Sequence, residues 1–129
     1  MINVTCGIIH FENEFLISQR SRNKHEYSLF WELPGGKCNE NECIELRLKR
    51  ELKEELNIDI EFLNVEYIKT NFMNKYDLYY CSCKCLTKLN KIKFNSEIER
   101  FAIVSKEDLL DYNFIKGDKE ILTNYLDKI

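Results

Sequence analysis

One amphipathic helix dominates the sequence pattern, because apolar residues recur every four positions between residues 39 and 56. These residues are Ile44, Leu48, Leu52 and Leu56. That spacing places their side chains on one face of an α-helix. Asn39 and Glu42 have the spacing of a capping box, which predicts that the helix begins near Asn39. Such a helix must bury its apolar face against another layer of structure.

The segments on both sides of this helix carry the alternating, β-branched patterns of strands. Strands are predicted over 2–11, 15–20, 58–72, 76–86, 92–94 and 101–104. Residues 12–14 and 71–75 are expected to connect neighbouring strands. Ser105 is expected to open a brief helix, and a closing helix is predicted over 118–129. The order of these elements predicts an α/β fold, with helices packed on a sheet of mixed strand pairing.

Proline and glycine are concentrated at one place. The chain has only four glycines and one proline, and three of these five residues are Pro34, Gly35 and Gly36. The segment 31–36 is therefore expected to be a loop with unusual backbone geometry.

Composition limits the classes of function that remain. The length of 129 residues suits one domain spanning 1–129. A formal net charge of -3 gives no general attraction to a nucleic acid polymer. No apolar run is long enough to span a membrane or to act as an export signal. We expect a cytoplasmic protein that does not bind membranes and is a monomer or a weak homodimer.

The six cysteines do not have the spacing of a metal site, since no Cys-x-x-Cys pair occurs. Cys81, Cys83 and Cys85 alternate along one predicted strand. They are expected to be small buried side chains in a reducing compartment.

Three glutamates of the central helix share one face, because Glu51, Glu54 and Glu55 are spaced i, i+3 and i+4. Like charges at this spacing destabilise a helix. Clustered oxygen ligands suit a hard divalent ion such as Mg²⁺ or Mn²⁺. The alternative is a solvated helix face balanced by neighbouring lysine and arginine side chains.

The residues around these glutamates follow a longer pattern of fixed positions. The matching residues are Gly36, Glu42, Arg50, Glu51, Leu52, Glu54, Glu55 and Ile58. This pattern resembles the signature of the Nudix hydrolase family, Gly-x5-Glu-x7-Arg-Glu-U-x-Glu-Glu-x-Gly-U, where U is aliphatic. Asn57 replaces the final glycine, and asparagine is the least costly substitute where a left-handed conformation is needed. Residues 31–37 and the chain length resemble the MutT branch of that family.

The resemblance implies a Nudix-type α/β/α sandwich with a curved mixed sheet between helices. It implies hydrolysis of a nucleoside triphosphate to a nucleoside monophosphate and pyrophosphate, with Mg²⁺ as cofactor and Mn²⁺ as a substitute. Glu51, Glu54 and Glu55 would take the metal-binding and base positions, joined by the Gly36 carbonyl. Arg50 and Glu42 would be the orienting pair. A later loop glutamate of the family falls near residues 97–100, where the register lands on Arg100 and leaves Glu97 or Glu99 as substitutes. Glu99 is taken as the further metal ligand.

Other residues are candidates for binding the nucleotide. The set comprises Arg20, Trp31, Lys37, Phe72, Tyr76 and Asp118. Arg20 corresponds to a substrate-contacting arginine of the MutT branch, although a solvated arginine is equally consistent with the sequence. Asp118 resembles the Asn or Asp that contacts a base edge, and it could also be a helix N-cap. The aromatic residues could stack on a base or belong to the core.

Three functional hypotheses follow from this resemblance. The first is a MutT-like nucleoside triphosphate pyrophosphohydrolase, with 8-oxo-dGTP as a candidate substrate. The second keeps the chemistry but acts on CTP, a modified cytidine triphosphate, a dinucleoside polyphosphate or a sugar nucleotide. The third is a nucleotide-binding Nudix domain without turnover, which the complete set of signature acids argues against.

Overall fold

The computed structural model describes residues 1–63 and 68–128, including all their side chains except those of residues 68–70 and 72. Within this part of the chain the strands are β1 (Ile2–Phe11), β2 (Glu14–Arg20), β3 (Trp31–Glu32), β4 (Gly35–Lys37), β5 (Ile60–Phe62), β6 (Ile68–Phe72), β7 (Tyr76–Cys85) and β8 (Ile98–Val104). The helices are α1 (Ile44–Leu56) and α2 (Lys116–Tyr125). The predicted α/β class is confirmed.

The described strands form one mixed sheet with β1 and β7 at its centre. These two strands are parallel, from Ile2 opposite Tyr76 to His10 opposite Lys84. The central path runs β3-β2-β1-β7-β5, while β4, β6 and β8 pair with β1, β7 and β2. All pairings other than β1 with β7 are antiparallel. A parallel pair needs a long crossover connection, and the chain between β1 and β7 includes α1.

Each face of the sheet is covered by one helix. α1 packs Leu48, Leu52 and Leu56 against one face, and all three are fully buried. α2 packs Ile121 and Leu122 against the other face. β7 alternates between the two layers, with Cys81, Cys83 and Cys85 on the α1 side and Leu78 and Tyr80 on the α2 side. The cysteine alternation is thus confirmed, and all six cysteines are free thiols.

The start of α1 differs from the prediction, while its end agrees. Asn39 does not cap the helix; α1 begins at Ile44 and its N-cap is Cys43. The Glu42 carboxylate does accept from the Asn39 N–H, at 2.9 Å, but this bond closes a separate turn before the helix. Asn57 has φ 58° and ψ 35° at the end of α1. It therefore adopts the left-handed conformation expected of the residue in this position.

The glycines of residues 31–36 are needed for space and not for unusual dihedral angles. No glycine of the chain has positive φ, and the expected loop contains the short strands β3 and β4. A Cβ at Gly35 would lie 2.8 Å from the carbonyl carbon of Thr5. A Cβ at Gly36 would lie 2.7 Å from Cδ of Glu51. β4 can approach β1 and α1 this closely only without side chains at these two positions.

Several shorter elements also differ from their predictions. Segment 58–72 contributes two strands, β5 and β6, which both pair with β7 as expected, and its residues 64–67 lie outside the described part. Segment 92–94 is not a strand; it follows a 3₁₀ turn at Leu89–Lys91, and Ile92 is buried in the α1 layer. The brief helix after Ser105 is a turn followed by a 3₁₀ turn at Leu109–Asp111.

The closing helix begins two residues before its predicted start. Ile115 is the N-cap of α2, so the N-cap alternative for Asp118 is wrong. Asp118 lies inside the first turn and is only 2% exposed. Its carboxylate is therefore available to partners outside its own helix.

Candidate active site

A cleft of about 790 Å³ lies between α1, β4 and the first turn of α2, and its volume is within the range of small-molecule sites. The predicted site residues that line it are Arg20, Gly36, Lys37, Glu51, Glu54, Glu55, Tyr76 and Asp118. The fold thus brings together residues from five separate parts of the sequence. The glutamates form the α1 wall of the cleft, and Asp118 lies on the α2 wall.

The glutamate wall carries crowded negative charge. Glu51 is buried, Glu55 is half-buried and Glu54 is exposed. Burial, together with the charge of Glu54, raises the pKa of Glu51, and Glu55 lies within hydrogen-bonding reach of it. Burial, together with the charge of Glu51, raises the pKa of Glu55 to about 8. A cation between these groups would offset both the cost of burying the two carboxylates and the repulsion between them.

This arrangement fits a hard divalent cation. The donors are carboxylate oxygens, which Mg²⁺ and Mn²⁺ prefer, and Gly36 leaves the space beside Glu51 open to the cleft. Among the described residues no three Asp, Glu, His or Cys side chains already converge on one point. An ion at this wall would therefore complete its shell with water or phosphate oxygens, as Mg²⁺ commonly does.

Glu42 and Arg50 form an ion pair beside the cleft, with 2.6 Å between Glu42 Oε2 and Arg50 Nη2. Arg47 connects this pair to the glutamate wall. Its guanidinium forms an ion pair with Glu51 and lies 3.8 Å from Glu42. Sequence reasoning missed Arg47, although its i, i+4 spacing to Glu51 was a usable signal.

Asp118 is held by two hydrogen bonds from distant parts of the chain. Its Oδ2 accepts from the Leu33 N–H at 2.8 Å, and its Oδ1 accepts from the Tyr80 hydroxyl at 2.7 Å. Burial raises the pKa of Asp118 to about 7, although both hydrogen bonds favour the ionised form. A fixed carboxyl group on the cleft wall can accept hydrogen bonds from a ligand.

Two other groups place charge near the nucleotide-binding candidates. Arg20 forms an ion pair with Glu32 at 3.1 Å, and burial raises the pKa of Glu32 against the opposing effect of Arg20. Lys37 places its ammonium 5.4 Å from the centroid of the Tyr76 ring. Glu32 was not predicted, because no local pattern distinguishes it from a solvent-exposed glutamate.

Besides Glu42 and Arg50, which lie beside the cleft, three predicted residues do not contribute a described side chain to its lining. Trp31 packs edge-on against Tyr112, with ring centroids 5.0 Å apart. Glu99 forms an ion pair with Arg22 at 2.8 Å, and the Arg22 hydrogen bonds lower its pKa. The side chain of Phe72 lies outside the described residues.

The cleft also contains the alternative acid. Glu97 lines the cleft and forms an ion pair with Lys24, which lines it as well. Of the two loop acids considered from the sequence, Glu97 is thus the one that faces the cleft.

Within the described part of the chain, no helix has both the length and the apolar character needed to cross a membrane.

Comparisons with known proteins are consistent with this geometry. A family model described as NUDIX domain matches residues 1–125. The chain is 32% identical over 121 residues to an 8-oxo-dGTP diphosphatase from Buchnera aphidicola, covering 93% of this chain and 89% of that protein. It is 26% identical over 130 residues to the nucleoside triphosphatase NudI of Escherichia coli O17:K52:H18, covering 92% of each.

A solved structure extends the likeness to the fold. The MutT protein from Methanosarcina mazei superimposes with a TM-score of 0.76 at 22% identity, covering 98% of this chain and 93% of that one. At this identity the comparison shows a shared fold.

Proposed function

This chain belongs to the Nudix hydrolase family, and we propose that it hydrolyses a nucleoside triphosphate to a nucleoside monophosphate and pyrophosphate with Mg²⁺. Mn²⁺ is the expected substitute. We propose residues 1–129 as one Nudix hydrolase domain acting on small nucleotides, and a reducing cytoplasm suits its six free thiols.

The observation that carries this proposal is the glutamate wall. Glu51, Glu54 and Glu55 line the same cleft as Gly36 and Asp118. The raised pKa values of Glu51 and Glu55 reflect the cost of holding their ionised forms in a buried, negatively charged place, and a bound cation would offset that cost. Perturbed carboxyl groups in a cleft are typical of catalytic sites.

The chemistry required is the attack of water on a phosphoanhydride. A bound divalent cation would supply positive charge to phosphate oxygens and the leaving group. Glu54 is the most exposed carboxylate of the wall and can accept a proton from water. Arg47 fixes Glu51 in place through its ion pair. Lys37 supplies a positive charge for binding phosphate.

We propose that the Asp118 carboxylate binds the base of the nucleotide. Each carboxylate oxygen can accept two hydrogen bonds, so the bonds from Leu33 and Tyr80 leave one acceptor position on each oxygen. Those positions suit the N–H groups on a base edge, such as those of guanine. Together with the 32% identical 8-oxo-dGTP diphosphatase, this favours 8-oxo-dGTP as the substrate to test first.

Substitution of the glutamates tests the mechanism. Glu54→Gln and Glu55→Gln should each lower kcat about 100-fold or more, because general base catalysis contributes ~10²–10⁴-fold. The matched control is Glu61→Gln, since Glu61 is exposed on β5 and does not line the cleft. Circular dichroism should show that all three variants remain folded. Near-normal rates in both active-site variants would contradict the mechanism.

A substrate panel tests the specificity. Pyrophosphate release should be measured for common and oxidised nucleoside triphosphates, with and without Mg²⁺. We expect the highest kcat/KM for 8-oxo-dGTP and no turnover in chelator. A higher kcat/KM for CTP would favour the second hypothesis.

A further inference from the structure

Arg47 is a cation that already lies among the carboxylates of the cleft. It is one turn before Glu51 on the same face of α1, and both residues line the cleft. Its guanidinium forms an ion pair with Glu51, and only 16% of the Arg47 side chain and 11% of the Glu51 side chain are exposed. Salt screens a partly buried pair of this kind much less than a surface pair. Arg47 therefore neutralises part of the charge of the glutamate wall.

The ion pair uses one particular oxygen of Glu51. Arg47 Nη2 contacts Oε1, and the same oxygen lies 3.0 Å from the position that a Cβ at Gly36 would take. This is the side of the carboxylate that Gly36 leaves open to the cleft. A divalent cation that bound Glu51 from the cleft would thus approach the oxygen that Arg47 holds. Two cations at one carboxylate repel each other, and the repulsion is stronger away from bulk water.

Arg47 has a second carboxylate within reach. Its Nε is buried and forms no hydrogen bond with any described residue, but it lies 3.8 Å from Oε1 of Glu42. A carboxylate oxygen can accept two hydrogen bonds, and this one accepts from the Asn39 N–H. A movement of about 1 Å would give Nε an ordinary N–H···O distance of ~2.9 Å to Glu42. The cost of a buried unpaired N–H favours that movement once Glu51 is no longer available.

We propose that Arg47 is a positioning residue with two alternative partners. It holds Glu51 in place while the site is free of metal, and it transfers to Glu42 when Glu51 binds a divalent cation. Arg47 is thus an internal competitor of the metal, and it lowers the affinity of the nucleotide-free protein for the ion. The inference rests on the proposed function in one respect, that a divalent cation binds at the glutamate wall.

Removal of Arg47 should tighten metal binding, whereas loss of a purely structural arginine would weaken it. Calorimetry without nucleotide should show that the Kd for Mn²⁺ falls about fivefold or more in Arg47→Met. Methionine keeps an unbranched side chain along the helix, so the change mainly removes charge. Arg47→Lys retains a charge at the same spacing from Glu51 and should keep a Kd close to that of the wild type.

Lys49→Met is the matched control, because it also removes one positive charge from α1. Lys49 is exposed, places its ammonium 5.6 Å from the centroid of the Phe62 ring and does not line the cleft. Its substitution should leave the Kd for Mn²⁺ unchanged. Thermal unfolding gives a second measure, since an ion that binds more tightly raises Tm further. The rise in Tm on adding Mn²⁺ should be larger in Arg47→Met than in the wild type or in Lys49→Met.

The transfer to Glu42 can be observed in the wild-type protein without any substitution. In NMR spectra that detect arginine Nε–H groups, the Arg47 signal should move downfield when Mg²⁺ is added. Its exchange with water should also slow, because Nε gains a hydrogen bond. A signal that does not move, or that exchanges faster, would overturn the proposed transfer.

The outcomes separate this inference from the proposed hydrolysis. If Arg47→Met binds Mn²⁺ no more tightly than the wild type does, the inference fails, while release of pyrophosphate with Mg²⁺ would still support the hydrolysis. If Arg47→Met binds Mn²⁺ more tightly but neither protein releases pyrophosphate from any nucleoside triphosphate, the proposed hydrolysis fails and the role of Arg47 stands. Absence of Mn²⁺ binding in both proteins would overturn both.

Discussion

Gly35 and Gly36 are adjacent residues for which the same substitution should have opposite consequences. A Cβ at Gly35 would meet backbone atoms, 2.8 Å from the Thr5 carbonyl carbon and 2.9 Å from the Cys6 Cα. A Cβ at Gly36 would meet the carboxylate end of Glu51, 2.7 Å from Cδ. Backbone in a sheet cannot move aside locally, whereas a side chain can change rotamer.

The loss of unfolding free energy expected for Gly35→Ala follows from how far β4 must move away from β1. β4 must move by more than about 1 Å, because the atom nearest to the added Cβ is the Thr5 carbonyl oxygen, closer than the carbonyl carbon, and ordinary non-bonded contacts are ~3.5–4.0 Å. That shift would lengthen or break the hydrogen bonds of the three residue pairs between β1 and β4. It would also weaken the bond from the Gly7 N–H to the Pro34 carbonyl, at 2.8 Å. Losing two buried hydrogen bonds at about 1–3 kcal/mol each costs about 2–6 kcal/mol, a large part of a typical stability of ~5–15 kcal/mol.

Gly36→Ala should instead spare stability and impair activity. Displacing the Glu51 side chain costs about 1 kcal/mol, but a carboxylate moved by about 1 Å can lower kcat about 100-fold. Urea unfolding gives the free energy of unfolding of each variant, and pyrophosphate release gives kcat. The reasoning is refuted if Gly35→Ala is as stable as the wild type, or if Gly36→Ala unfolds as easily as Gly35→Ala.

Two further substitutions test the buried acid and the end of α1. The pKa of Asp118 is raised from 3.8 to about 7, so between these values the native state binds a proton at Asp118 that the unfolded state does not. The stability that this proton contributes is complete below about pH 4 and is lost as the pH rises through about 7. Asp118→Asn should therefore gain stability relative to the wild type between pH 4 and 8, by at most about 4 kcal/mol, and parallel curves of unfolding free energy against pH would contradict this. Asn57 has φ 58°, and its Nδ2 donates to the Lys91 carbonyl at 3.1 Å. Both Asn57→Ala and Asn57→Gly lose that bond, so Asn57→Ala should lower the free energy of unfolding by about 1 kcal/mol more than Asn57→Gly does. Equal thermal midpoints for the two variants would argue against strain at this position.

Local patterns in the sequence predicted much of the fold. The four-residue period identified the buried face of α1, and the alternation of Cys81, Cys83 and Cys85 identified one face of β7. Asn57 was placed in a left-handed conformation from its position after the helix. These features depend on residues near one another in the chain, so periodicity and backbone sterics were sufficient.

Other features depended on neighbours that are distant in sequence. The α1 start at Ile44 and the α2 start at Lys116 did not follow from the capping patterns. The bond from the Asn39 N–H to Glu42 closes a turn before α1, and Asp118 accepts from Leu33 and Tyr80 outside its own helix. A side chain with several possible partners takes the one that the fold brings closest.

The sequence by itself determined that three carboxylates would share one helix face, since their spacing and the helical repeat require it. Only the tertiary structure decided which groups surround them: Glu97 faces the cleft while Glu99 binds Arg22, and Gly36 leaves room for Glu51. The physical reason is that helical periodicity is a local property of the chain, whereas burial, charge compensation and cavity shape arise between elements that only folding brings together.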